Sequence, residues 1–255
     1  MLEYNPWSAS GLSAAVLGKP VLQVVTIMNL AVYKKLRDNI NRRNEIHFPR
    51  ATLIITSIAA FTLVLVIVSI LGVPARKSLD YHFINERGLI SFSTQFFLMI
   101  AGAFSLATLI AQLEHNDSHH LLWGLLALGF FILAADEFFH LDSIAGRILQ
   151  HQFSWIRYHW WKDLLVILYG VIAVVVLVIY LPEIFRYPLV FELFCLGFAF
   201  YFLQTFLDVT RNQTVFDNII EETFKIFSVA FLAQATLFSY LGALHKTGNT
   251  DTKSG

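Results

Sequence analysis

Charge is scarce in this sequence, and scarcest where a water-soluble fold would need it. Asp, Glu, Lys and Arg make up 14% of the 255 residues, against 56% hydrophobic, whereas a soluble domain carries roughly a quarter charged residues. Neither Ala51–Val73 nor Leu89–Leu113 contains a charged residue, and each exceeds the roughly 20 residues a helix needs to cross a bilayer. An ordinary small soluble core is thereby excluded. Acidic and basic residues balance at 18 each, so no net field exists to gather nucleic acid, and no nucleic-acid partner is expected. Cysteine is nearly absent. A lone Cys195 excludes an intrachain disulfide and leaves the redox compartment unread. The first residues lack a basic stretch followed by a short apolar core and a small-residue cleavage site, so no removable signal peptide is expected.

What is present is apolar sequence in long runs. Windows of membrane-span length give six spans, at about 51–73, 89–113, 120–141, 164–181, 189–208 and 221–244. The runs do not alternate as barrel strands do, and backbone groups in lipid must be satisfied within a helix. The expected fold is an all-α polytopic transmembrane bundle, with lipid as its surroundings and other membrane subunits as further candidate partners. The chain divides into an N-terminal segment 1–50, the six-helix bundle 51–244 and a disordered polar tail 245–255. Within the first segment, 13–33 suits either a seventh crossing or an interfacial helix, because Lys19-Pro20 interrupts it.

Orientation rests on one loop. Lys34, Lys35, Arg37, Arg42, Arg43 and Arg50 form the densest basic run, which places 34–50 and the C-terminus in the cytoplasm. The loops 74–88, 142–163 and 209–220 then face outward, and 114–119 and 182–188 inward. In 142–163, Ile144, Ile148, Phe153, Ile156 and Trp160 recur at helical spacing, and Trp155, Tyr158 and Trp161 crowd its end. This predicts an amphipathic helix lying on the outer membrane surface.

Ionisable residues at membrane depth cost several kcal/mol unless partnered, so they mark positions of interest. Asp136, Glu137 and His140 close the third span, and Glu221, Glu222 and Lys225 open the sixth. Asp163 opens the fourth and Asp208 closes the fifth, while Glu86 precedes the second. Alternating topology gathers all of them at one end of the bundle. Two readings of the cluster compete. In the first it is structural: Lys225 is the cation, with Glu221 and Glu222 within a turn on its own helix and Asp136 or Glu137 reaching across. In the second, Asp136, Glu137, His140 and Glu222 hold zinc, iron or manganese, and Asp163 or Glu221 acts as general base on metal-bound water. A di-metal carboxylate bundle would need a second Glu-x-x-His unit, and Lys225 stands where that histidine would fall.

Asp136-Glu137 is similar to the acidic pair of the seven-helix alkaline ceramidase-like hydrolases. Those enzymes also need a histidine pair on their last helix, where this chain has Glu221, Glu222 and Lys225, so membership does not follow. Glu192 is read as reaching the inner interface or pairing with Arg186, and Gln95, Gln112, Gln204 and Gln234 as interhelical hydrogen-bonding groups. The favoured expectation is a non-enzymatic accessory or assembly subunit with a structural cluster. A metal-dependent membrane hydrolase of a lipid-like substrate is the alternative, and a transporter the third.

Overall fold

The computed structural model describes residues 50–75, 77–84, 88–114, 120–153, 158–210 and 214–251, with 142, 158, 159, 162, 163, 165, 166, 209, 210 and 246–251 described by backbone alone. The N-terminal features, 13–33 and the basic stretch up to residue 49, lie outside these residues. In chain order the helices are α1 (Ala51–Leu71), α2 (Tyr81–Ile84), α3 (Leu89–Glu114), α4 (His120–Phe139), α5 (Leu141–Gln152), α6 (Tyr158–Ile179), α7 (Leu181–Ile184), α8 (Val190–Thr210) and α9 (Val215–Asp251). No strand occurs among the described residues. The fold is an all-α polytopic helical bundle.

Among the described residues, five helices are long and apolar enough to cross a membrane, namely α1, α3, α4, α8 and α9. Six were expected, and the difference lies in 164–181. Helix α6 covers most of that range, but the side chains of 165 and 166 are not described, so its described apolar stretch is Ile167–Ile179, ending before Pro182. Proline ends it for the usual reason, a missing N–H and a ring that clashes with the preceding turn.

Helix α9 is the centre of the bundle. Of its most apolar stretch 72% is buried, against 17% for α1, and it packs along both α3 and α8 while α3 packs along α4. Ile226, Ala230, Ala233, Ala235 and Phe238 of α9 are buried. Close approach of α8 to α9 depends on Gly197: a Cβ there would lie 2.7 Å from Leu232 Cδ2, and the Ser228 hydroxyl donates to the Gly197 carbonyl at 2.8 Å. Small residues let membrane helices pack this tightly without a hydrophobic driving force between them.

Helix α9 starts six residues earlier than the sequence suggests. Thr214 caps it: the Asp217 N–H donates to Thr214 Oγ1 at 3.3 Å, and the Thr214 N–H donates to Asp217 Oδ2 at 3.1 Å. Such reciprocal capping satisfies donors that a bare helix start leaves orphaned. At the other end the helix runs past His245 to Asp251, although 245–255 was expected to be disordered. Nothing in Ala243-Leu244-His245-Lys246 breaks a helix already propagating.

The expected surface helix over 142–163 is shorter than its sequence pattern. Helix α5 ends at Gln152, and Trp160 and Trp161 belong to the first turns of α6, where Trp161 stands 5.7 Å from Phe153 ring to ring. Leu141, Ile144 and Ile148 form an exposed apolar face on α5.

Candidate functional site

Each wall of the polar end is one face of one helix. On α3 Ser91, Thr94 and Leu98 line a cavity; on α4 Leu133, Asp136 and Glu137; on α8 Tyr201, Gln204 and Asp208; on α9 Glu221, Glu222, Lys225, Ser228, Val229 and Leu232. The spacings of three, four and seven are those of a single helical face. His140, at the end of α4, then Ser143 and Arg147 on α5 continue it at the same spacing, so α5 turns its polar face to the cavity, and Phe83 and Ile84 of α2 and Tyr169 of α6 also line it. The cavity is open on one side and has a volume of about 660 Å³.

Lys225 sits ten residues after the start of α9, about 15 Å along the helix at 1.5 Å per residue. That depth would be costly for an unpaired cation. Its Nζ lies 2.7 Å from Glu137 Oε1 and 3.6 Å from Glu222 Oε2, so one ammonium bridges α4 and α9. The end of α4 is tied to α3 as well, through Gln95 Nε2 donating to the Glu137 carbonyl at 3.2 Å. Below it, Asn218 of α9 donates to Asp80 Oδ2 at 2.7 Å, anchoring the α1–α2 turn.

The sequence candidates thus fall around one cavity: Asp136, Glu137, His140, Asp208, Glu221, Glu222 and Lys225 all line it. Asp208 is exposed and Glu221 buried. The side chain of Asp163, and Glu86 altogether, lie outside the described residues. Arg147, Tyr169 and Tyr201 also line the cavity, and the sequence reading did not single them out. Arg147 was legible in principle, since it follows His140 by seven on an amphipathic segment. Tyr169 and Tyr201 had no signal beyond being tyrosines in apolar runs.

His140 departs from the expected helix-end geometry. Its N–H still donates to the Asp136 carbonyl at 2.7 Å, but its φ of 53° is left-handed. The chain turns there out of α4 and into α5. The Glu137-x-x-His140 pair therefore does not sit within a continuous helix. Among the described residues, no three His, Cys, Asp or Glu side chains are grouped so as to hold a metal ion.

A second polar cluster occupies the opposite end of the bundle. Gln112 Nε2 donates to Glu183 Oε1 at 2.8 Å and to the Tyr187 hydroxyl at 2.9 Å. Arg186 pairs with Glu183 at 3.3 Å, and Tyr187 meets Trp123 edge-on at 5.9 Å. Gly242 leaves the space Tyr187 fills, since a Cβ there would overlap its ring. Arg186 thus has an acid three residues before it as a partner, and Glu192 is exposed. No family model, curated protein or solved structure matches the chain.

Proposed function

We propose that the chain is a non-enzymatic integral membrane protein, an accessory or assembly subunit, whose polar end is a structural clamp. The supporting observation is the bridging of α4 and α9 by Lys225, between Glu137 and Glu222. A lysine at this depth needs a counter-charge, and an acid beside it needs a cation. Each supplies the other, which accounts for the presence of both without a metal. In a metal-dependent hydrolase, Asp136, Glu137, His140 and Glu222 would instead turn their donor atoms onto one ion, yet Glu137 already accepts from Lys225. The Lys225 end faces outward in this reading, with 34–50 on the cytoplasmic side.

Metal analysis of purified protein, run beside a Lys225–Glu137 double-mutant cycle, tests the proposal. Energetic coupling of the two residues, with no stoichiometric zinc, iron or manganese, is the expected result. About one metal per chain, lost in His140→Ala, would refute it.

A further inference from the structure

The clamp does not fill the space around it. The cavity of about 660 Å³ falls in the range of small-molecule sites, a few hundred to a thousand Å³, and is far larger than a bare ion requires. Among the described residues its walls carry five carboxylates, on Asp136, Glu137, Asp208, Glu221 and Glu222, against two cations, Lys225 and Arg147. Negative charge is therefore in excess.

Two wall atoms point to a hydrogen-bonding occupant. Thr94 is fully buried, and its Oγ1 has no hydrogen-bond partner among the described residues. Elsewhere on α3, Ser93, Ser105 and Thr108 all donate to the carbonyl four residues back, at 2.7 to 2.8 Å. Thr94 does not make that bond. Glu222 Oε2 has its ion pair with Lys225 at 3.6 Å, longer than a hydrogen bond, and no hydrogen-bond donor among the described residues, so the pair leaves room for a second donor. A buried polar atom left so is costly and calls for a partner.

The polarity of the walls is graded with depth. Leu232 lies seven residues beyond Lys225 along α9, about 10 Å deeper. Leu98, Leu133 and Val229 also line the cavity, each farther along its helix from the polar end than the nearest charged or hydroxyl wall residue. A ligand suited to both parts has a cationic N–H donor at one end and an apolar body at the other.

We propose that this cavity binds a primary-amine amphiphile, with its ammonium group among the carboxylates of Glu222 and Asp208, beside Thr94, and its apolar body against Leu98, Leu133, Val229 and Leu232. The amine can come from a membrane lipid headgroup or from a free alkylamine, and the shared chemistry is the protonated primary amine. This goes beyond the clamp, which is read by stability and metal content, whereas the cavity is read by binding.

The test is calorimetric titration of the protein in phosphatidylcholine nanodiscs, with empty nanodiscs correcting for partition into lipid. Decylammonium should bind at about one per chain, and decanol and decyl sulfate at least tenfold more weakly. Thr94→Val should weaken decylammonium about fivefold, the size of one hydrogen bond. The exposed Asp208→Asn should weaken it severalfold, and both variants should unfold at the temperature of the parent. Displacement of decylammonium by aqueous ethanolamine identifies a soluble amine as the source, and displacement only by phosphatidylethanolamine in the disc identifies a lipid. Both results uphold the proposal. Equal binding of decylammonium and decanol, or parental affinity in both variants, would overturn it while leaving the Lys225 clamp untouched.

Discussion

Lys225 Nζ and Glu137 Oε1 lie 2.7 Å apart although 88 residues separate them in sequence, and this pair joins the first turns of the central helix to the last turn of α4. Both side chains are about a quarter or less exposed, so the charges are mostly removed from water. Breaking such a pair from one side leaves the other charge stranded. Lys225→Met should destabilise the protein by about 3 kcal/mol, the order seen when one partner of a buried pair is removed. Adding Glu137→Gln should recover much of that loss, because contacting sites are coupled. Unfolding monitored by tryptophan fluorescence in mild detergent reads both. Simple additivity of the two changes would show that the ion pair clamps nothing.

Sidedness has its own measurement. With 34–50 cytoplasmic, cysteine probes at Ser78 and Asn212 should react with an impermeant maleimide from outside, and a probe at Asp117 should not. Cys195 is itself exposed on α8, so a Cys195→Ser background is needed. The reverse pattern would invert the protein without dispersing the cluster.

The span positions and the gathering of charge at one end were legible because both follow from where charged residues are absent. Apolar length sets the crossing, and alternation sets which span ends meet. What was hidden depended on local chemistry finer than hydropathy. The early start of α9 comes from the Thr214–Asp217 cap, which a hydropathy window averages away. The break at His140 comes from one residue's backbone, and no composition signal marks a left-handed histidine. At the other end, Gln112, Glu183 and Tyr187 are drawn together by a turn between α7 and α8 that brings distant residues into contact.

Asp80 should give the clamp's end a measurable acid sensitivity. Burial acts to raise its pKa, but hydrogen bonds from Ser78 and Asn218 outweigh that and hold the carboxyl below the ordinary range. A carboxylate depressed by folding contributes stability that is present above its unfolded pKa, about 4, and is lost as pH falls through the folded value. The parent should therefore lose more stability than Asp80→Asn when pH is lowered from about 6 to below 4. The comparison is made by thermal unfolding at each pH. Parallel pH curves for the two proteins would show that the Asp80–Asn218 bond contributes nothing in solution.

His140 combines a strained backbone with an imidazole on the cavity wall, and two substitutions separate these roles. A non-glycine residue at φ 53° pays a steric cost from its Cβ that glycine avoids, on the order of 1 kcal/mol. His140→Gly keeps the turn from α4 into α5 and removes the ring. His140→Ala removes the ring and keeps the Cβ. If the residue serves chiefly to redirect the chain, His140→Gly should be at least as stable as the parent, and His140→Ala should lie about 1 kcal/mol below His140→Gly. If the imidazole instead holds a ligand that stabilises the fold, both variants should lose stability together, by similar amounts. Thermal unfolding of the three proteins distinguishes these outcomes, and the clamp reading requires the first.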